Sequence, residues 1–170
     1  AASASAGPLD EMAVDRWAKL REAERYQLNI AEKYYNDKEW KVAAAEYEKF
    51  LTLYERSEGA GFTQLKWGIC QLNLRQAHTA IKEGFQSVVD YWPDSPDAVI
   101  AAYYIGKTYK DIGEVKKAKK AYLTVVSQHP EHLVAAYSLV DLIDITTVEE
   151  YGPGRVALWK KLTFEFKRVP

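Results

Sequence analysis

One stretch of this chain repeats at a fixed step, and that step limits the folds open to it. Ala101-Ala102-Tyr103-Tyr104-Ile105-Gly106 returns in degraded form as Ala135-Ala136-Tyr137-Ser138-Leu139-Val140, and Pro96 and Pro130 precede the two copies by the same offset, 34 residues apart. A step of about 34 residues is the period of helix–turn–helix solenoids, whose units bury their apolar faces only by stacking on one another. Such arrays present a binding surface and usually hold no catalytic centre.

The local pattern is helical throughout, with no credible strand run. Leu9, Ala13, Trp17, Leu20, Ala23, Leu28 and Ala31 recur at three- and four-residue steps with one step of five. That stripe predicts one long amphipathic helix from Pro8 to about Tyr35, roughly 40 Å at 1.5 Å per residue. Its first half is read as an extension before the repeats. Further helices are expected over about 40–54, 62–73, 76–91, 96–111, 114–128, 131–145 and 155–167. Ser95 and Pro96 suit a helix start, and Gly113 suits a left-handed helix end. Ala1 to Pro8 carries no packing side chains; it reads as a mature N-terminus left by signal removal, a linker, or an expression remnant. The domain reading is a leader over 1–8, a helical extension over 9–23, repeats over 24–145, and a loop with a capping helix over 146–170.

Small and large residues give the repeats a register. Unit three reads Ala102-x2-Ile105-Gly106-x2-Tyr109, then Ala118-x3-Tyr122, then Pro130. Unit one has Ala31 and Tyr34 before Ala43 and Tyr47, and unit two has Trp67-Gly68 before Ala80. In unit two Gln71 and Gly84 stand where aromatics are usual, with Phe85 placed to take over from Gly84. Small pairs at Ala31/Ala43, Gly68/Ala80 and Gly106/Ala118 are expected where helices cross, with Val140 as the equivalent position of a degenerate fourth unit. This pattern closely resembles the tetratricopeptide repeat. The resemblance implies an all-α solenoid, a right-handed superhelix of antiparallel helix pairs, with about three clear repeats plus a degenerate capping unit.

A narrower resemblance lies in Tyr91-Trp92-Pro93-Asp94-Ser95-Pro96-Asp97-Ala98 and in Tyr34-Tyr35-Asn36-Asp37-Lys38-Glu39-Trp40. Both are similar to the bacterial cell-envelope subset of these repeats, which includes the lipoprotein of the outer-membrane barrel-assembly machinery and the periplasmic Tol–Pal-associated coordinator. It implies an adaptor in the periplasm or envelope, with a cytoplasmic adaptor or oligomerisation module as the alternative. A Trp interrupts the joining phrase, and no lipid-attachment Cys stands at the start.

The resemblance implies a non-catalytic, protein-binding scaffold with its binding surface on a concave face lined by the first helix of each unit. The inward positions would be Arg25, Leu28, Glu32 and Tyr35 in unit one, and Leu65, Ile69, Leu72 and Asn73 in unit two. Unit three would supply Tyr103, Lys107 and Lys110, and unit four Tyr137, Asp141 and Asp144. Asn73 and Lys107 stand where one family variant grips a peptide carboxylate, but the basic partners of that clamp are missing. The N-terminal helix is a competing user of the groove, or a cap on unit one, or a means of self-association through Met12, Trp17 and Leu20.

Composition narrows the partners. Net charge is −1, with 23 basic and 24 acidic residues spread along the chain. That balance argues against nucleic acid and against a polybasic membrane patch. No run approaches the ~18 apolar residues of a membrane span. No catalytic residue, cofactor or metal is expected. His129 and His132 are close enough to share a metal, but ordinarily such a pair is solvated loop. Cys70 reads as a buried thiol, Glu149-Glu150 as a solvated pair, and Gly152-Pro153-Gly154 as a turn. A helical ligand-binding protein or enzyme is the remaining alternative.

Overall fold

The computed structural model describes residues 8–146 and 153–165. Ten α-helices and one π-helical segment make up the regular structure among the described residues. They are α1 (Val14–Lys19), α2 (Glu22–Asn36), α3 (Trp40–Leu53), α4 (Ala60–Asn73), α5 (Ala77–Thr79), the π-helical segment Ala80–Phe85, α6 (Gln86–Tyr91), α7 (Pro96–Asp111), α8 (Val115–Gln128), α9 (Leu133–Ile145) and α10 (Pro153–Glu165). The chain divides into two compact bodies, one through Ala101 and one from Ala102 on. The expected leader, apart from Pro8, and the Glu149-Glu150 pair lie outside the described residues.

Three helix pairs, α2/α3, α4/α5 and α7/α8, are joined by the same turn. Lys38 (φ 60°), Arg75 (φ 61°) and Gly113 (φ 81°) adopt left-handed backbone. The residue after each donates its N–H five residues back, from Glu39 to Tyr34, Gln76 to Gln71 and Glu114 to Tyr109, all at 2.9 Å. This is a Schellman ending, which satisfies carbonyls that a helix C-terminus leaves without partners. Only Gly113 announces it in the sequence, because glycine alone enters that region at no steric cost.

The links between pairs also repeat, and they correct the register of the opening echo. Tyr54, Trp92 and His129 end their helices by donating to Phe50, Val88 and Val125. Ser57, Ser95 and His132, three residues on, donate back to them. Pro130 is therefore the counterpart of Pro93, at a step of 37, and not of Pro96, which sits in the first turn of α7. A 34-residue echo is nearly one helical turn short of 37, so it kept the apolar face while misplacing the position. Val140 consequently lies 45% exposed, whereas Ile143, 37 residues after Gly106, is buried.

The core rests on a small residue in the first helix of a pair set against a ring from the second. A Cβ on Gly106 would stand 2.7 Å from the Tyr122 ring, and one on Gly68 would stand 2.7 Å from the Phe85 ring. Ala31 and Tyr47 hold the same positions in the first pair, both fully buried. Ala43 to Tyr47 and Ala118 to Tyr122 are steps of four, but Ala80 to Phe85 is five. The π-helical segment covers Ala80–Phe85. A π turn absorbs one extra residue, so Phe85 reaches the ring position and Val88 regains the register of Phe50 and Val125. Gly84 is then the crossing point itself: a Cβ there would stand 2.7 Å from the Gly68 Cα. The expected Gly68/Ala80 crossing is therefore Gly68/Gly84, with Ala80 buried nearby.

The long N-terminal helix is broken. Leu20 (ψ 144°) and Arg21 (ψ 156°) are extended, and α1 ends at Lys19. Leu20 turns inward to within van der Waals reach of Gly59 beside Phe50, and a capping box between Arg21 and Glu24 restarts the chain as α2. The Arg21 side chain outweighs burial and holds the Glu24 carboxyl below its ordinary range. Ala13 and Ala23, counted in the apolar stripe, are exposed. At the other end α10 packs on α9 but shows Val156, Trp159 and Phe164 at its surface, unlike the polar outer face of a capping repeat. Pro153 and Gly154 are its first residues rather than part of a turn.

Overpacking a close contact typically costs about 1–3 kcal/mol. Gly84→Ala, which sets a methyl group against backbone, is expected to lower unfolding free energy by that amount, and Gly106→Leu to do the same against Tyr122. Urea unfolding followed by circular dichroism checks both; unchanged midpoints would refute the crossing geometry.

Candidate partner-binding faces

The fourteen expected groove residues separate into three groups. Leu28 and Leu65 are fully buried and Ile69 nearly so. They belong to the interior and present no surface. Arg25 and Leu72 are half-buried, and Asn73 is exposed with its amide turned back onto the Ile69 carbonyl at 2.9 Å. The remaining eight gather in two places, one in each body.

In the C-terminal body α7 and α9 build a polar patch around Asp141. Its carboxylate accepts from Lys110 Nζ at 2.7 Å, from the Tyr122 hydroxyl at 2.8 Å and from the Tyr103 hydroxyl at 3.4 Å. Lys110 also reaches Asp144 at 3.5 Å. The Tyr103 ring lies 6.0 Å from those of Tyr122 and Tyr137. Burial first and Asp141 second push both the Tyr103 and Tyr122 hydroxyls above the ordinary tyrosine range. Partial burial works against the Lys110 charge, but Asp141 and then Asp144 outweigh it and hold its pKa up. Tyr103 and Tyr122 are buried, while Tyr137, Lys107 and Asp144 stand exposed at the rim. Lys107 pairs with Asp111 at 3.2 Å along its own helix. Fixed donors and acceptors with an exposed aromatic beside them suit recognition of a polar, partly apolar segment.

In the N-terminal body the corresponding face is already covered. Glu32 accepts from the Tyr47 hydroxyl and pairs with Lys66 Nζ at 3.1 Å. Lys66 is 1% exposed; its ammonium stands 3.3 Å from the centre of the Tyr35 ring and donates to the Asp10 carbonyl at 2.9 Å. The Tyr35 hydroxyl donates to the Asp10 carboxylate at 2.8 Å. Met12 and Trp17 pack against the core cluster that includes Leu28, Phe50 and Phe62. Arg16 makes a two-pronged pair with Asp97, at 3.0 and 2.7 Å, and donates to the Glu58 carbonyl at 3.3 Å. The N-terminal segment thus lies on its own repeats, as a competing user of the face.

Lys66, Asp10, Arg16 and Asp97 were not singled out from the sequence. Lys66 had a signal, the lone charge in the run from Phe62 to Cys70. Such a residue must find a buried partner or neutralise.

Two segments, residues 63–95 and 101–132, match the family model of the tetratricopeptide repeat. Those two segments read as tetratricopeptide repeats. Its fold is similar to crystal structures of nearly identical TPR-like repeats from a protein of Podosopora anserina described as a kinesin light chain. One is 16% identical with a TM-score of 0.61, covering 86% of this chain and 76% of that one. A second, of a substituted form, is 15% identical with a TM-score of 0.57, covering 92% and 88%. At those identities the likeness establishes the helical-repeat fold. No curated protein matches the sequence.

The groups considered for chemistry have structural settings. Burial pushes the Cys70 thiol up to about 12, far from a reactive thiolate. Among the described residues, no group of three or more His, Cys, Asp and Glu side chains converges as metal ligands would, and no helix is long and apolar enough to cross a membrane. His132 caps α9, its Nδ1 accepting from the Val134 N–H at 3.2 Å.

Two predictions follow from these settings. Asp141→Ala strands the Tyr122 hydroxyl and leaves Lys110 only Asp144, and a buried group left without its partner costs about 1–3 kcal/mol; Asp141→Asn keeps an acceptor and should recover part of that loss in urea titrations. Burial, then His129, hold His132 below its ordinary value against the opposing pull of Glu131. The unfolded chain therefore binds the proton first, so stability is full above about pH 6.5 and falls as pH drops toward the folded value. Melting between pH 7.5 and 5.5 should show that loss, and His132→Asn, which caps without titrating, should reduce it.

Proposed function

We propose that this chain is a non-catalytic scaffold that binds a protein or peptide segment on the α7–α9 face, as an adaptor in a bacterial cell envelope. The observation that carries the binding reading is the Asp141 network. It locks Tyr103, Tyr122 and Lys110 in place behind the exposed Tyr137, Lys107 and Asp144. Side chains already immobilised pay less entropy on binding, and an exposed tyrosine supplies contact area with few rotatable bonds. Tetratricopeptide repeats generally mediate protein–protein contacts, which agrees with this. The buried tyrosines and Cys70 are pushed toward their neutral forms, which suits a structural role. Support for the envelope setting is the phrase Tyr91-Trp92-Pro93-Asp94-Ser95-Pro96 together with unit steps of 37 and 38 residues.

The test is site-specific photo-crosslinking in the native organism. Crosslinkers at Tyr137 and Lys107 should capture one common partner, while crosslinkers at Lys120 and Leu123 on α8 should not. Tyr137→Ala combined with Lys107→Ala should weaken that complex at least tenfold. Equal capture from α8 would refute the α7–α9 face. Fractionation decides the setting: recovery with the periplasm or envelope supports it, and recovery with the cytoplasm selects the cytoplasmic adaptor instead.

A further inference from the structure

The α2–α4 face of the N-terminal body, with Asp97 from the first turn of α7, carries an unusual load of polar groups for a permanent interior. Lys66 and Asp97 are 1% and 2% exposed, and each owes a charged partner or carbonyl to residues 8–20. Asp10 serves Lys66 and Tyr35, and Arg16 serves Asp97. The segment gives little apolar anchorage in return. The only helix in it, α1, spans six residues and buries none of them. Met12 and Trp17 are half-buried, with Leu20 as the one fully inserted side chain before α2. A pocket of 320 Å³ stays open between the segment and the helices, lined by Glu11, Met12, Trp17, Asn29, Glu32 and Lys66.

Those properties describe a bound segment better than a core element. Seams that open reversibly are more polar than seams that never open, since polar groups can return to water at small cost. Two polar contacts stand six residues apart: Asp10 gives its carbonyl to Lys66 and its carboxylate to the Tyr35 hydroxyl, and Arg16 forms an ion pair with Asp97. One ion pair and a set of hydrogen bonds so placed fix direction and register. The open pocket shows that residues 8–20 do not fill the space beside Lys66.

We infer, resting on the scaffold function proposed above, that the α2–α4 face is a second binding groove occupied in cis by residues 8–20. Its partner is a segment of another protein with an acidic residue, an apolar residue two positions on, and a basic–aromatic pair six and seven positions on. That is the arrangement of Asp10, Met12, Arg16 and Trp17. The partner displaces the chain's own segment. Because residues 8–20 run directly into α2, their effective concentration at the groove is high, on the order of millimolar or above. They therefore suppress weak ligands and set a threshold that a partner must exceed.

The experiment uses the full chain and a fluorescein-labelled synthetic peptide of residues 8–20, read by fluorescence anisotropy. Wild type should bind it weakly. Asp10→Ala with Arg16→Ala loosens the cis segment and should raise affinity at least tenfold. Adding Lys66→Met or Asp97→Asn should return it to the wild-type level, and a scrambled peptide should not bind. No gain on loosening, or equal binding of the scrambled peptide, overturns the inference. Hydrogen exchange on the wild type covers the case of a double variant that does not fold. The Trp17 and Leu20 amides should exchange at least tenfold faster than those of Tyr47 and Phe50, and equal protection would make residues 8–20 an integral core element. If the peptide fails while the Tyr137 crosslinks persist, the second groove is lost and the scaffold function stands.

Discussion

The packing of this chain depends on one recurring contact, a residue with little or no side chain set beneath an aromatic ring from the paired helix. Gly68 and Phe85, and Gly106 and Tyr122, make this contact, and Ala31 and Tyr47 stand buried at the equivalent positions. A small residue lets the helices approach, and the ring fills the space beside the approach, which interiors packed like organic crystals require. The π-helical segment shows how strongly the contact is held. The second pair has one residue too many between its small position and its ring, and the helix widens over Ala80–Phe85 rather than let Phe85 miss Gly68. With Gly84 moved onto the Gly68 backbone, the extra residue becomes the point of closest approach.

Once the pairs are set, their first helices differ in what they show to water. Most of α4 is buried, including Lys66, whereas α7 and α9 leave Lys107, Tyr137 and Asp144 at the surface. The difference comes from residues 8–20, which cover α2 and α4 and supply partners to Lys66 and Asp97. Leu20 makes this possible by leaving helical geometry to enter the space beside Gly59 and Phe50. A continuous helix through that point would have carried Asp10 and Arg16 away from their partners. In the C-terminal body a single carboxylate, Asp141, does the organising. The two faces thus share a principle, charge and tyrosine hydroxyl fixed in place, but differ in whether residues 8–20 lie across them.

Much of the fold was legible in the residues. Three- and four-residue apolar steps located the helices from α3 to α9 within a few residues, with α5, the π-helical segment and α6 read as one helix, since a helix must present one face to its neighbour. Pro96 and Gly113 marked their boundaries, and Gly68 and Gly106 marked two close approaches, while the partner expected at Ala80 is Gly84. Less of the proposed binding surface was legible. Tyr103, Lys110, Tyr137, Asp141 and Asp144 were placed on one face and do meet, but Leu28, Leu65 and Ile69 lie inside. Helical periodicity reports that a residue is on the apolar side without saying whether that side meets a partner or the core.

The sequence by itself determined an all-helical repeat, the small-and-large alternation and the approximate unit length. Each is a local property, repeated until it is visible. Tertiary structure decided the rest. The true step of 37 at the third link, the break at Leu20, the left-handed turns at Lys38 and Arg75, and the pairing of Asp10 with Lys66 and Arg16 with Asp97 all join residues by what lies beside them in space. An apolar stripe runs through the Leu20 break unchanged, and a 34-residue echo hides a 37-residue step, because three residues of slip return almost the same face of a helix. Only the packed chain, where Leu20 must choose between continuing a helix and filling the gap beside Gly59, settles where the first helix stops and what its predecessor covers.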